Sequence, residues 1–262
     1  MPYDTTDGRG LRVLLLGATG TAGRGAARAL VAAGHDVTCV VRSAGVVLPG
    51  RARAVVADVT DAGAMAGVIG AGRFDAVVSC LASRTGAPRD AWAIDHDAQG
   101  VALEAAKAAG VGRFVLLSAI CVQKPKLEFQ RAKLAFEARL VASGLTWSIV
   151  RPTAFFKSLS GQIARVRAGK PFLLFGDGTL TACKPIGDDD LGRFLALCLT
   201  DPDKANRVLP IGGPGPALTA RAQGEALFAA AGMAPRFAHV PVAMMDAIVG
   251  LSAALGRVSG RW

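Results

Sequence analysis

A glycine-rich segment near the start of the chain, LRVLLLGATGTAGRGAARALVAAGHDVTCVVRS, spans residues 11–43 and narrows the possible folds sharply. The apolar run at 11–16 predicts a strand that is buried on both faces of a parallel sheet. Gly17, Gly20 and Gly23 follow, and residues 24–33 predict a helix that ends at Gly34. A second strand is predicted at 37–41. Strand, glycine turn, helix and strand in this order are typical of a doubly wound α/β fold.

The same alternation of strands and helices continues up to Val150. Further strands are predicted at 54–57, 76–80, 114–118 and 146–150, and helices at 62–69, 90–109 and 127–142. We therefore predict a doubly wound parallel Rossmann sheet in an NADP-binding domain over residues 1–153.

The elements become shorter after Arg151. The sequence KPFLLFGDGTLTACKPI, residues 170–186, resembles a pair of short strands around a Gly-Asp-Gly turn. Beyond it we predict a helix at 188–199, a strand at 207–211, a helix at 219–231 and a strand at 237–240. These elements suit a small C-terminal substrate lobe over residues 154–262, interleaved with the end of the sheet.

Composition and charge exclude several classes of protein. The five cysteines lie far apart and the three histidines form no ligand pattern, so we expect no metal site. The net charge of +10 predicts an anionic partner, namely a phosphorylated cofactor, an acidic substrate or a lipid surface. Because the basic residues are spread along the chain without interleaved aromatic residues, we expect no nucleic acid partner.

The location is predicted from the same features. No signal peptide is visible, and dispersed single thiols fit a reducing compartment, so we expect a cytoplasmic protein. The apolar residues 240–255 are interrupted by Asp246 and fall short of the roughly 20 residues that a membrane span needs. They predict a packed amphipathic helix instead.

The spacing of Gly17, Gly20 and Gly23 between a strand and a helix predicts a dinucleotide site. Glycine lets the backbone approach a pyrophosphate, and the helix N-terminus presents N–H groups to it. An NAD site normally has an acidic residue at the end of the second strand. Arg42 and Ser43 stand there instead and suit a 2′-phosphate, so we predict NADPH as the cofactor.

Further cofactor contacts are predicted at the ends of the later strands, where the ligands of open α/β sheets lie. The predicted cofactor residues are Gly17, Thr19, Gly20, Thr21, Ala22, Gly23, Arg42, Ser43, Asp58, Val59, Cys80, Leu81, Ala82, Ser118, Lys133, Pro152 and Thr153.

The segment SAICVQKPKLEFQRAK, residues 118–133, has the serine and the lysine of a short-chain dehydrogenase site but lacks its tyrosine. Phe129 stands four residues before Lys133, and the only tyrosine of the chain is Tyr3. A Ser-Tyr-Lys site for carbonyl reduction is therefore not expected, since no phenol could protonate an alkoxide. We predict Ser118 and Lys133 as the catalytic residues. Either the protein binds its cofactor without redox chemistry, or its substrate has no carbonyl group to reduce.

The chain resembles the NADPH-dependent 3,8-divinyl (proto)chlorophyllide 8-vinyl reductases, an atypical branch of the short-chain dehydrogenase/reductase superfamily. The resemblance covers about residues 11–250 and rests on the blocks VVSCLASRTG, FVLLSAICVQKPKLEFQRAKLAFEARL, SIVRPTAFFKSLSGQ, GKPFLLFGDG, ACKPI and VLPIGGPGPALT. It implies hydride transfer from NADPH to the C8 vinyl group of a tetrapyrrole in chlorophyll or bacteriochlorophyll synthesis. Hydride addition to a vinyl carbon forms no alkoxide and needs no phenol. Water, Lys133 or another donor could then protonate carbon.

The resemblance also implies how the tetrapyrrole is bound. Phe129 would form an apolar wall, Phe155 and Phe156 would stack on the macrocycle, and Lys124 or Lys157 would meet a propionate. Phe155 and Phe156 could equally fill the interior between the two lobes. Peripheral contact with the photosynthetic membrane is a further expectation, whereas the oligomeric state stays open. Members of that family continue past the point where this sequence ends, and we expect a shorter cover over the pigment to leave NADPH binding intact.

Two alternatives to a vinyl reductase are open at this point. The first is a non-catalytic NADPH-binding sensor or assembly factor, which would never oxidise its cofactor. The second is a reductase of another conjugated double bond, similar to the isoflavone-type reductases. The block AICVQKPKLEFQRAK favours the vinyl reductase, because the resemblance there extends beyond the cofactor loop.

Overall fold

The computed structural model describes residues 10–244, apart from the side chains of residues 158 and 159. It divides into two compact units, of which the first is Met1–Thr153 with Ile186–Ile211 and the second is Ala154–Pro185 with Gly212–Trp262. Across residues 10–244, no helix is long and apolar enough to cross a membrane. Most of the predicted helix at 240–255 lies outside the described residues.

The first unit contains a sheet of seven strands, and every neighbouring pair is parallel. The strands are β1 (Arg12–Leu16), β2 (Asp36–Val41), β3 (Arg53–Val56), β4 (Ala76–Ser79), β5 (Arg113–Leu117), β6 (Thr146–Pro152) and β9 (Arg207–Ile211). Their order across the sheet is β3-β2-β1-β4-β5-β6-β9, which confirms the predicted doubly wound fold. The direction of winding reverses between β1 and β4. Ligands of such sheets bind at the carboxyl ends of the strands beside this reversal.

Helices cover the sheet because each buries an apolar face against it. They are α1 (Thr21–Ala32), α2 (Ala62–Gly72), α3 (Pro88–Ala91), α4 (Gln99–Ala108), α5 (Glu128–Val141) and α8 (Asp188–Thr200), with short 3₁₀ turns at Ile120–Gln123 and Pro202–Lys204. One core cluster of this unit includes Leu14, Val77, Phe114 and Phe136, which are fully buried. This core holds the ends of β1, β4, β5 and β6 in fixed positions.

The helix predicted at 90–109 is not uniform, and that prediction is wrong in detail. A π-helical stretch, Trp92–Ala98, separates α3 from α4. Such widened turns are often found at functional sites, and a pattern of apolar residues does not reveal them. Asp95 lies in this stretch and is 1% exposed.

The second unit has its own small core of Val166, Phe172, Leu174 and Phe228. Its elements are α6 (Phe156–Leu159), a 3₁₀ turn (Ser160–Gln162), α7 (Ile163–Arg167), β7 (Phe172–Phe175), β8 (Ala182–Cys183), β10 (Leu218–Thr219), α9 (Ala220–Ala230) and β11 (Phe237–Val240).

The two short strands predicted around the Gly-Asp-Gly turn are present, but they do not pair with each other. β7 pairs in parallel with β11, and β8 pairs antiparallel with β10. The reason is the packing of aromatic residues, since the ring of Phe237 on β11 contacts Phe172 and Phe228 edge-on at centroid distances of 6.3 and 6.1 Å.

Candidate functional site

Two of the three glycines after β1 are required by the packing of the chain itself. Gly17 has φ +75°, and a Cβ there would lie 2.5 Å from the carbonyl oxygen of Cys80. A Cβ on Gly23 would lie 2.1 Å from the carbonyl oxygen of Gly17. The turn therefore closes tightly against the end of β4 and against α1.

Gly20 has no such internal reason to be glycine. A Cβ there would meet only the carbonyl oxygen of Gly17, at an ordinary 3.5 Å, and its φ of −72° suits any residue. Gly20 is exposed and is the N-cap of α1, to whose first N–H groups it offers no capping side chain. Thr19 beside it is exposed, whereas Thr21 is half-buried and Ala22 is buried. An open helix N-terminus behind a bare backbone fits the pyrophosphate of a dinucleotide.

The residues after β2 and β3 carry opposite charges at the predicted adenosine end of this site. Arg42 and Ser43 are exposed, as is Asp58, whereas Val59 is half-buried. Asp58 accepts hydrogen bonds from the N–H and the hydroxyl of Thr60 at 2.9 and 2.7 Å. These hydrogen bonds and, to a smaller extent, the charge of Arg42 lower the pKa of Asp58. The structure thus places the Asp58 carboxylate within electrostatic range of Arg42, where a 2′-phosphate is expected.

Cys80 begins the loop after β4, against the glycine turn. Burial raises the pKa of its thiol to about 12, although the nearby charge of Lys133 acts in the opposite direction. The thiol is therefore neutral and is not a nucleophile. Of the two following residues predicted to contact the cofactor, Leu81 is half-buried and Ala82 is exposed.

Gln99, at the start of α4, supports this loop from behind. It is 1% exposed, and its Oε1 accepts a hydrogen bond from the Ser79 hydroxyl at 2.7 Å. Its Nε2 donates to the carbonyl oxygen of Leu81 at 3.5 Å. Sequence reasoning missed Gln99, because a single polar residue in a helix looks like a surface residue.

Lys133 is buried at the sheet-facing side of α5. Its Nζ lies 2.8 Å from Oδ1 of Asp95, and the two side chains are 10% and 0% exposed. The other carboxylate oxygen of Asp95 accepts a hydrogen bond from the Ser83 hydroxyl at 2.6 Å. Lys133 is therefore not a solvated helix lysine, and its ammonium group is held in one place beside Cys80.

Ser118, at the end of β5, belongs to a second buried cluster. Its hydroxyl donates to Oε1 of Glu137 at 2.5 Å, and its N–H donates to the carbonyl oxygen of Val150 at 2.7 Å. Arg151 forms a two-pronged ion pair with the Glu137 carboxylate, whose side chain is 6% exposed. Because the Ser118 proton is directed at Glu137, the Ser118 oxygen can still accept a hydrogen bond from a ligand. Pro152 is buried and Thr153 half-buried at the end of β6.

The predicted substrate residues are divided between the two units. Phe129 is half-buried at the start of α5, where its ring lies against Gly86, and Lys124 is exposed. Phe155, Phe156 and Lys157 belong to the second unit, in which Phe155 is half-buried and the other two are exposed.

Two acids and an arginine of this site were missed by sequence reasoning. Glu137 carried a detectable signal, because it follows Lys133 by four residues and so lies on the same buried face of α5. Asp95 and Arg151 could not be found from the sequence. The position of Asp95 depends on the π-helical stretch, and that of Arg151 depends on the pairing of β5 with β6. Together the residues can bind a nucleotide, orient its ribose through Lys133 and exclude water, but they present no phenol.

A glycine turn at the reversal of a parallel sheet, open to a pyrophosphate, defines a dinucleotide-binding protein of the doubly wound α/β class. The family described as NAD(P)H-binding matches residues 17–202, and the chain belongs to this family. The UDP-glucose 4-epimerase of Thermotoga maritima has the same fold, with a TM-score of 0.77 and 20% identity over 88% of this chain and 86% of that one.

Plant proteins named divinyl chlorophyllide a 8-vinyl-reductase, chloroplastic, are similar over almost the whole chain. The protein of Oryza sativa subsp. indica is 51% identical over an alignment of 275 positions, gaps included, which covers 98% of this chain and 66% of that protein. The protein of Zea mays is 48% identical over an alignment of 266 positions, gaps included, which covers 95% of this chain and 66% of that protein. The chain thus spans just under two thirds of the length of these relatives. The resemblance inferred from the sequence blocks is confirmed.

Proposed function

We propose that the protein reduces the C8 vinyl group of a divinyl chlorophyllide-type tetrapyrrole to an ethyl group, with NADPH as the hydride donor. The observation that carries this proposal is the similarity to plant proteins named for that activity, which extends over almost all of the chain. The site supports it as well. Ser118, at the end of β5, and Lys133, on α5, are both buried, while Phe129 stands where carbonyl chemistry would need a phenol.

The reaction balances without an alkoxide. A bound NADPH would supply the hydride, one vinyl carbon would receive it and the other a proton, which leaves NADP⁺ as the oxidised product. Lys133 would hold the nicotinamide ribose, and the Ser118 oxygen would accept a hydrogen bond from the ligand. Phe129 would form an apolar wall beside the reacting carbons. Water or Lys133 would supply the proton.

The preference for NADPH over NADH rests on Arg42 and Ser43. A guanidinium forms charge-assisted hydrogen bonds with phosphate. Arg42 and Ser43 would therefore bind the 2′-phosphate that distinguishes NADPH from NADH.

A turnover experiment with isotopically labelled cofactor tests the proposed reaction. Purified protein is incubated with 3,8-divinyl chlorophyllide a and NADPH that carries deuterium at C4, and the pigment is analysed by chromatography and mass spectrometry. We expect a blue-shifted Soret band and one deuterium in the new ethyl group. A parallel reaction with unlabelled NADPH in D₂O should place one solvent deuterium there. Unchanged pigment in the presence of bound NADPH would reject the reductase and favour a non-catalytic NADPH-binding protein.

We also propose peripheral contact with a pigment-bearing membrane. The described part of the second unit exposes several large apolar side chains, including Phe156, Phe175, Leu180 and Val242 at 55, 49, 63 and 43%. Sedimentation with anionic lipid vesicles tests this, and protein that stays in the supernatant at low salt would contradict it.

A further inference from the structure

Asp95 is buried completely, yet neither hydride transfer nor cofactor recognition has required it so far. Its carboxylate contacts the Lys133 ammonium at 2.8 Å through one oxygen and the Ser83 hydroxyl at 2.6 Å through the other. The N–H of Ser83 also points at both oxygens from 3.4 Å. Three elements, α5, the π-helical stretch and the loop after β4, therefore meet at this one carboxylate.

A buried ion pair of this kind is not explained by stability alone. Removing two charges from water costs several kcal/mol per ion, and well-packed apolar residues often stabilise a fold as well or better. The best-attested use of such pairs is to fix one arrangement among several. Here the arrangement that is fixed is the position of the Lys133 ammonium.

The position of that ammonium is set relative to the cofactor turn. Lys133 is close enough to Cys80 for its charge to act on the thiol. The carbonyl group of Cys80 in turn lies against Gly17. The ammonium thus stands at the carboxyl end of β4, on the side of the reversal opposite the Arg42 end of β2.

We propose that Asp95 is a positioning residue for the nicotinamide half of the cofactor. It acts through Lys133, whose ammonium it holds where the nicotinamide ribose binds. The inference rests on the NADPH site of the proposed function and adds a residue to it. It does not depend on which double bond is reduced. Asp95 makes no contact with the adenosine half, so its removal should affect the two halves of the cofactor differently.

The test compares two ligands on the same variants. The dissociation constants of NADPH and of adenosine 2′,5′-bisphosphate, which lacks the nicotinamide ribose, are measured by calorimetry for wild type, Asp95→Asn, Lys133→Met and the double variant. Asp95→Asn should weaken NADPH about tenfold, as expected for a misplaced charged hydrogen bond, and should leave the bisphosphate unchanged within about twofold. The double variant should bind NADPH no more weakly than Lys133→Met does.

Two outcomes would overturn the inference. If Asp95→Asn weakened the binding of both ligands equally, Asp95 would be a general support of the fold. If the double variant bound NADPH more weakly than Lys133→Met does, Asp95 would act independently of Lys133. Asp97→Asn is the matched control, since its carboxylate lies in the same stretch but is 69% exposed, and it should bind both ligands normally.

A milder variant covers the case in which Asp95→Asn does not fold. Ser83→Ala keeps both charges and removes only the 2.6 Å hydrogen bond to Asp95, so it should weaken NADPH severalfold with the bisphosphate unaffected. Unchanged NADPH affinity in this variant would also count against the inference. All of these measurements omit pigment, so a protein that binds NADPH without reducing the tetrapyrrole would refute the proposed function and leave the role of Asp95 standing.

Discussion

At the scale of residues, the proposed preference for NADPH over NADH rests on Arg42. Arg42→Ala should weaken NADPH on the order of tenfold to a hundredfold, since hydrogen bonds between charged groups contribute about 1.5–3 kcal/mol. NADH lacks the 2′-phosphate and should be little affected. Titration of both cofactors measures the difference. Arg53→Ala is the control, because Arg53 is also exposed but pairs with Asp36 at 2.7 Å. Equal losses for NADPH and NADH would remove Arg42 from the phosphate site.

His35 makes the stability of the fold depend on pH. Its Nδ1 accepts a hydrogen bond from the Leu11 N–H at 3.1 Å, whereas its buried Nε2 has no partner among residues 10–244. Burial lowers the pKa of His35 from its usual 6.5. The unfolded chain therefore takes up the proton first, so this contribution to stability is complete above pH 6.5 and is lost as the pH falls below it.

His35→Asn should remove that dependence, because the Asn oxygen can accept the same hydrogen bond and does not titrate. The measurement is the urea midpoint at pH 7.5 and at pH 5.5. The midpoint should fall less in His35→Asn than in wild type, while the exposed His239→Gln should behave like wild type. Parallel pH slopes for wild type and His35→Asn would contradict the assignment.

Single residues of the site could be predicted only where a local sequence pattern, such as the end of a predicted strand, marks their position. The glycines, Arg42, Ser118 and Lys133 follow strand ends and could be found from the alternation of elements. Asp95 could not, because its burial depends on a widened helical turn 38 positions before Lys133 in the chain. Long-range partners of this kind are set by the packing of whole elements.

At the scale of elements, α1 and α8 approach each other through glycine. A Cβ on Gly192 would lie 2.3 Å from the Gly25 carbonyl oxygen, so the two helix backbones are in contact. Gly192→Ala should therefore lower the free energy of unfolding by about 1–3 kcal/mol, as overpacking does. Urea denaturation measures this. Gly67→Ala in α2 is the control of opposite sign, since no atom lies within 4 Å of its Cβ position and alanine favours helix by about 0.5–1 kcal/mol. A stabilised Gly192→Ala would show that the helices can separate at no cost.

The elements themselves were largely predictable in the first unit and less so in the second. Buried parallel strands appear as continuous apolar runs, so all seven strands of the sheet were found within one or two residues. The strands of the second unit have two to four residues, and their partners lie far along the chain. A nearby Gly-Asp-Gly turn predicts a local hairpin, but the aromatic packing of Phe172 and Phe237 favours a distant pairing instead.

At the scale of the whole molecule, the first unit is built from two separate stretches of chain. Residues 154–185 belong to the second unit, and both α8 and the last strand of the sheet, β9, follow them in the chain. Sequence patterns predicted both elements but gave no reason to place them with the sheet rather than the lobe. That placement follows from the pairing of β6 with β9 and from the contact of Gly192 with Gly25.

This discontinuity has a consequence for how the protein is made. A nascent chain that has grown to residue 153 presents β6 as a bare sheet edge and leaves α1 without α8, and exposed edges invite association between chains. Synthesis of residues 154–211 then takes about 3–12 seconds at about 5–20 residues per second. During those seconds the bare edge of β6 is open to pairing with another chain, so a slow stretch of translation there should raise the yield of aggregates.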